Sequence, residues 1–387
     1  MPRAVIKAFD ADNPKIDVKL DTRPGGSEGD NLVKTRLSTG DMADIFEYNS
    51  GSLFQAISPE KNLTPVTNES WVSDLDDTFK KVVSAGSGDV YGSPWQTVVG
   101  GGVFYNIPVY NKLHLKVPTT WDQFMANNAK IKAAGITPVE QTFGDTWTSQ
   151  LFVLADYHNV AEANPNFADD YTNNKAKYAT TPAAEAGFQH LEDVHKAGYL
   201  NKDFASAKFN DGLQAVATGK AAQYPMLTFG IPAISGVAPK NINDVGFFAM
   251  PGTDAAKAGA TVWEPSGLYI PKKTTGAKLD AAKKFQAYLA STKGCDAEAS
   301  VAPVGGPFAV KSCQLPSGVA TAVKDLATYI NKGAVTPALE FLSPIKGPSL
   351  EQITVEVGSG IRSAKSGAAL YDKDVQKQAQ QLGLKGW

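Results

Sequence analysis

The sequence predicts an α/β protein of two domains. Three observations lead there. At 387 residues the chain is longer than one ordinary domain of about 150 residues. Strand-like alternation and helix-like periodicity follow one another along it, which is the pattern of layered α/β structure. No repeat period and no long linker separates these segments, so the two domains must be joined by short crossings. Composition narrows the function classes. Apolar residues at 43% and charged residues at 20% exclude a wholly disordered chain. Lys and Arg total 37 against 39 Asp and Glu, so the chain lacks the basic footprint of a general nucleic-acid binder. No run approaches the roughly 18 apolar residues of a membrane span.

In chain order, Arg3–Asp12 reads as the last turns of a helix ended by Asn13-Pro14. Ile16, Val18 and Leu20 alternate with Asp17, Lys19 and Asp21, which predicts a strand with one buried face. Pro24–Gly29 reads as a Gly-rich loop, Asn31–Leu37 as a helix stopped near Gly40, and Ala43–Tyr48 as a short strand before the turn Asn49-Ser50-Gly51. Val98–Phe104 is a Gly-rich apolar strand. Three helices are well marked. Thr119 caps the first, with Trp121, Met125 and Ala129 on one face and Phe124 beside them. Thr181-Pro182 opens the second, whose face is Phe188, Leu191 and Val194 and whose end is Gly198. The third buries Ala282, Phe285 and Leu289 and turns Lys283, Lys284 and Gln286 to water.

Several apparent catalytic motifs fail on inspection. Gly25-Gly26-Ser27-Glu28-Gly29 fits G-x-S-x-G, but Arg23-Pro24 separates it from the preceding strand, so a surface loop is the better reading. Gly219-Lys220 lacks the first glycine of a P-loop, where Gln214 stands, and Ala221 replaces the magnesium-binding hydroxyl. His114, His158, His190 and His195 form no metal-ligand spacing, so neither a metal nor a cofactor is expected. Cys295 and Cys313, the only cysteines, fit equally two small buried residues or one local disulfide in an exported protein. What stands out is aromatic. Trp95, Trp147 and Trp263 each lie in a Gly-, Ser- or Pro-rich segment beside a carboxylate or hydroxyl. An apolar plate ringed by hydrogen-bonding groups is what a sugar ring requires.

The segment Tyr91–Phe124 resembles the family 1 extracellular solute-binding proteins of bacterial sugar ABC transporters, the group that includes maltose-binding protein. The matching words are Tyr91-Gly92-Ser93-Pro94, Phe104-Tyr105-Asn106, Tyr110-Asn111-Lys112 and Val117-Pro118-Thr119-Thr120-Trp121-Asp122-Gln123-Phe124. Phe9 with Asn13–Val18, Gly40–Ile45, Leu63–Val66, Gly219–Ala222, Met250-Pro251-Gly252 and Gly267–Ile270 agree in order, over nearly the whole chain. Two departures stand out: Ala43 replaces a usual proline, and Pro225–Phe229 replaces a usual Gly-x-Trp. By this resemblance the sequence is expected to enter midway through the family's first helix, with the usual first strand and secretion signal outside it.

The resemblance implies a two-lobed periplasmic-binding-protein-like α/β fold of type II with the ligand cleft between the lobes. Lobe one is expected at 1–109 plus 262–312, and lobe two at 110–261 plus 313–387. It implies a protein that binds a neutral di- or oligosaccharide and passes it to the permease subunits of an ABC importer without transforming it. No nucleic acid partner is expected, and the chain is expected to be monomeric. The full-length form is expected outside the cytoplasm, extracellular or periplasmic, as a membrane-anchored lipoprotein. In that setting Cys295 and Cys313 are expected to form one disulfide. By position the ligand residues are Glu47, Asn49, Ser50, Trp95, Trp263 and Glu264 from lobe one, and Asp145, Trp147, Thr228 and Phe229 from lobe two. The alternative is a glycoside-active enzyme using Glu47 and Glu264 as its two carboxylates.

Overall fold

The computed structural model describes residues 2–387. The chain divides into two compact units, Met1–Val98 with Glu264–Val319, and Val99–Trp263 with Ala320–Trp387. The Gly-rich strand after Val98 and Trp263 thus belong to the second unit, where the resemblance places them with the first.

Among the described residues the nine strands are β1 (Phe46–Tyr48), β2 (Gly92–Trp95), β3 (Val99–Asn106), β4 (Thr137–Val139), β5 (Ala221–Leu227), β6 (Val245–Ala249), β7 (Ala260–Trp263), β8 (Ser266–Tyr269) and β9 (Val335–Pro337). In the first unit β8 lies between β1 and β2 and pairs antiparallel with both. The register sets Tyr48 opposite Gly267 and Trp95 opposite Ser266, so the ends of β1 and β2 meet the start of β8. In the second unit the order is β4-β5-β3-β7-β9, with β6 also on β3. β3 is antiparallel to β5, β6 and β7, while β4 runs parallel to β5 and β9 to β7. Gly101 is needed in β3, because a Cβ there would lie 2.3 Å from Cζ3 of Trp263.

The first unit corrects three expectations. Residues 16–21 form no strand. A strand needs a hydrogen-bonding neighbour, and this segment instead borders a cavity of about 300 Å3. It is lined by Val18 and Leu20 from that segment, and by Ile45, Phe46, Glu47 and Trp95. Ile16 and Val18 still pack on a cluster of Val5, Phe9, Leu268, Phe285 and Leu289, so the alternation reports burial without a sheet. The expected loop Pro24–Gly29 instead runs into a helix, Gly26–Thr39, closed by a left-handed Gly40. Its first turn folds back onto Pro24, whose carbonyl oxygen would be 2.0 Å from a Cβ on Gly29. Gln286 does not face water: it is fully buried and its Nε2 donates to the Leu268 carbonyl at 2.7 Å, tying the helix Gly276–Leu289 to β8.

In the second unit the helix Trp121–Ala133 is capped by Thr120, whose Oγ1 accepts from Gln123 N–H, and not by Thr119. Its buried face is Phe124, Asn127, Asn128 and Ile131, rotated from the expected one. Trp121 lies over His190 with ring centroids 3.7 Å apart. The helix Pro182–Lys196 buries Phe188, Leu191 and Val194 as its periodicity predicts. Among the described residues no helix is long and apolar enough to cross a membrane.

Cys295 and Cys313 form a disulfide. It closes a segment that carries the helix Thr292–Val301 and whose Pro307 carbonyl accepts from Val98 N–H at 2.8 Å. A Cys313→Ser variant, or reduction, is expected to lower the stability of the first unit by about 3 kcal/mol, the chain-entropy value for a loop of this length. Chemical denaturation with and without reductant measures it. An unchanged midpoint would mean that the closed loop adds nothing to the unit.

Candidate functional site

In the first unit, the strand-end register gathers most of the expected residues. Glu47 sits within β1 and its Oε2 accepts from Arg23 Nη1 at 3.0 Å, both side chains being about a quarter to a third exposed. Ser50 is buried and donates to the Pro265 carbonyl at 2.9 Å. Asn49 is exposed, and its carbonyl accepts from the Tyr269 hydroxyl at 3.3 Å. These bonds hold the 47–50 turn beside the turn that carries Glu264. Trp95 is half-buried, packs on the Phe285 and Leu268 cluster, and lines one cavity with Glu47.

Glu264 does not pair with a lysine. Its Oε2 is buried without a hydrogen-bond partner. Burial, with a smaller push from the Asp76 charge, raises its carboxyl to about 8. At neutral pH it is therefore a carboxylic acid, able both to donate and to accept. Glu298, whose Oε1 accepts from Gln96 N–H at 3.3 Å, is raised to about 7 by burial, against that hydrogen bond.

In the second unit the sheet brings its candidates to one end. β4 and β5 run parallel, and the loops carrying Trp147 and Phe229 follow their C-terminal ends. Trp147 and Phe229 have ring centroids 5.7 Å apart. A third ring joins them: Phe209 lies 5.3 Å from Trp147 and 5.7 Å from Phe229. All three are half-buried. Asp145 fastens the group, since its Oδ2 accepts from Phe209 N–H at 2.8 Å at the start of the helix Phe209–Thr218. Thr146 donates to Glu351 Oε2 at 2.8 Å. Phe209 and Glu351 are absent from the sequence-derived set. Phe209 carried a usable signal, an aromatic opening a helix after a polar loop. Glu351 carried none, because its contact lies 205 positions away.

Two expected residues are built into the core. Thr228 is fully buried, and its Oγ1 accepts from Gly100 N–H at 3.0 Å while its own N–H donates to the Gly100 carbonyl at 2.9 Å. Trp263 is 8% exposed, so little of its ring is free. Its Nε1–H donates to Glu340, which pairs with Lys346 at 3.4 Å. Among the described residues no group of three or more His, Cys, Asp or Glu side chains is placed to hold a metal ion.

Residues 1–294 match the family described as bacterial extracellular solute-binding protein. The chain belongs to that family. Its members bind a solute, which sets aside the glycoside-active alternative. The multiple sugar-binding protein of Streptococcus mutans is 29% identical over 80% of this chain and 72% of its own. An uncharacterized ABC transporter extracellular-binding protein of Pyrococcus horikoshii is 23% identical over 72% of this chain and 63% of its own. Among solved structures, a chitin oligosaccharide binding protein superposes with a TM-score of 0.83 at 19% identity, covering 99% of this chain and 95% of its own. These likenesses show the fold, the two-lobed periplasmic-binding-protein-like α/β architecture.

Proposed function

We propose that this solute-binding protein takes a neutral di- or oligosaccharide and delivers it to the permease subunits of an ABC importer. The carrying observation is the contact group Trp147, Phe209 and Phe229, three half-buried rings at one sheet end. Such rings offer an apolar face to the C–H groups of a sugar. Asp145 adds a carboxylate to that group in the second unit; in the first unit, Glu47, Asn49, Trp95 and Glu264 offer acceptors, donors and a further ring. Ser50, Thr228 and Trp263 hold the backbone and sheet beneath them through the bonds described above. A neutral ligand fits this set. Arg23 is already paired with Glu47, and Glu264 is uncharged near pH 7, so nothing in the set favours a phosphate or carboxylate. The sugar named for the Streptococcus mutans relative and the chitin oligosaccharide named for the structural neighbour support a saccharide. In this reading the protein works outside the cytoplasm, as a membrane-anchored lipoprotein and as a monomer.

A thermal-shift screen of galactose, raffinose, stachyose, chitin oligosaccharides and xylan oligosaccharides tests the reading, because a ligand that binds only the folded state raises its stability. Calorimetry on the best sugar then compares Trp147→Ala, expected to lose about 1–3 kcal/mol of binding free energy. Binding of a peptide or phosphorylated compound in place of every sugar would overturn the substrate class while leaving the family intact.

A further inference from the structure

Four non-glycine residues among those described have positive φ: Ser58, Gln96, His114 and Asn174. Three of them adjoin helix ends, where the left-handed conformation is a common way to stop a helix. Gln96, at φ +73°, lies instead between two strands, β2 and β3. Glutamine gains nothing from that conformation, and glycine would take it without cost. Strain of this kind persists only where surrounding contacts enforce it, and such residues gather at ligand sites.

The enforcing contacts are present. Gln96 N–H is bonded to the buried carboxyl of Glu298, and two residues on, Val98 N–H is bonded to the Pro307 carbonyl. Both partners lie within the segment closed by the Cys295–Cys313 disulfide. Gln96 itself, by contrast, is half-buried, and its side-chain amide makes no hydrogen bond among the described residues. It follows Trp95 directly and stands at the strand end where Trp95 faces Ser266 and the turn of Glu264 begins. An unpaired carboxamide has a donor and an acceptor on one plane, which suits two neighbouring sugar hydroxyls.

We infer that Gln96 is a specificity-determining residue of the saccharide site, its amide hydrogen-bonding the ligand, and that Glu298 is its positioning residue, holding the strained backbone that aims it. The inference rests on the saccharide reading above. Removing the amide alone, in Gln96→Ala, leaves the backbone bond and is expected to weaken the best sugar of the panel by about tenfold, the loss for one hydrogen bond in a desolvated site. Glu298→Leu removes the acceptor and is expected to weaken binding by about three- to tenfold. Glu298→Gln keeps an acceptor and is expected to stay within about twofold of the parent.

A spectroscopic readout separates aiming from general stability. In a nitrogen-15 amide spectrum, the Gln96 side-chain peaks, assigned by their absence in Gln96→Ala, should shift when raffinose or another panel sugar is added. Its backbone peak should move in Glu298→Leu and hold in Glu298→Gln. If Glu298→Leu does not fold, Gln96→Gly makes the same test, since it needs no enforcement: a further Glu298→Ala should then cost less than twofold. Sugar binding with unmoved Gln96 peaks and an unaffected Gln96→Ala would overturn this inference and spare the saccharide reading. Equal losses in Glu298→Gln and Glu298→Leu would overturn the positioning role. Failure of every panel sugar to bind would overturn both.

Discussion

Trp263→Ala is expected to destabilise the second unit by about 3–5 kcal/mol, the cost of truncating a buried tryptophan. The ring is 8% exposed and rests against Gly101, so its removal opens a cavity that the glycine cannot fill. Its Nε1–H also satisfies Glu340, and the loss leaves that carboxylate, already paired with Lys346, short of one hydrogen bond in a poorly solvated place. Trp263→Phe separates the two effects. It retains most of the packing and drops only the donor, and about 1–2 kcal/mol is expected. Chemical denaturation followed by circular dichroism measures both variants. A Trp263→Ala protein of parental stability that no longer binds sugar would instead make this ring a ligand platform, as the family resemblance implies.

The difference between those two roles marks how far the sequence could be read. The order of strands and helices was legible because it is local: the Phe188, Leu191 and Val194 face and the Gly40 stop need only their neighbours. The ring-bearing loop of the second unit was legible because Trp147 lies among turn residues, whereas Trp95, read in the same way, closes strand β2. What the chain does not print is which distant partner a side chain will find. Gln286 stands beside two lysines and reads as solvated, yet the Leu268 carbonyl claims it. Ile16, Val18 and Leu20 alternate as a strand should, yet alternation specifies a buried face and not a pairing edge. Thr228 and Trp263 read as ligand residues because they lie in the right loops, and the bonds that draw them into the sheet come from Gly100 and Glu340. Gln96 was passed over because nothing in its type signals a left-handed backbone.

The first unit is expected to become more stable as pH falls from 8 to 5. Burial raises Glu264 to about 8 and Glu298 to about 7, each against about 4.3 in an unfolded chain. A carboxyl whose pKa is higher when folded binds more protons in the folded state throughout the interval between the two values. By linkage, stability then falls as pH rises through the folded pKa and is fully recovered below the unfolded one. The gain from pH 8 to 5 is on the order of 3 kcal/mol for Glu264 and somewhat less for Glu298. Asp21 and Asp77 shift the other way, held low first by hydrogen bonds from Arg36 and Lys80, but their loss begins only below about pH 4. The second unit should respond less simply. Glu140 is raised to about 8, mainly by burial and then by Asp203 and Asp211, so it too favours acid. All four histidines lie in that unit, however, and burial lowers His158 and takes His190 down to about 3. A histidine with a depressed pKa binds fewer protons when folded, so below about pH 6.5 these two erode what Glu140 gains. Denaturant titrations at pH 8, 6.5 and 5 decide the matter. Glu264→Gln should flatten the profile of the first unit and raise its stability at pH 8, because a carboxamide needs no proton to be buried. A profile that is flat in the parent, or unchanged in Glu264→Gln, would mean that this carboxyl is solvated and ionised when the protein is folded.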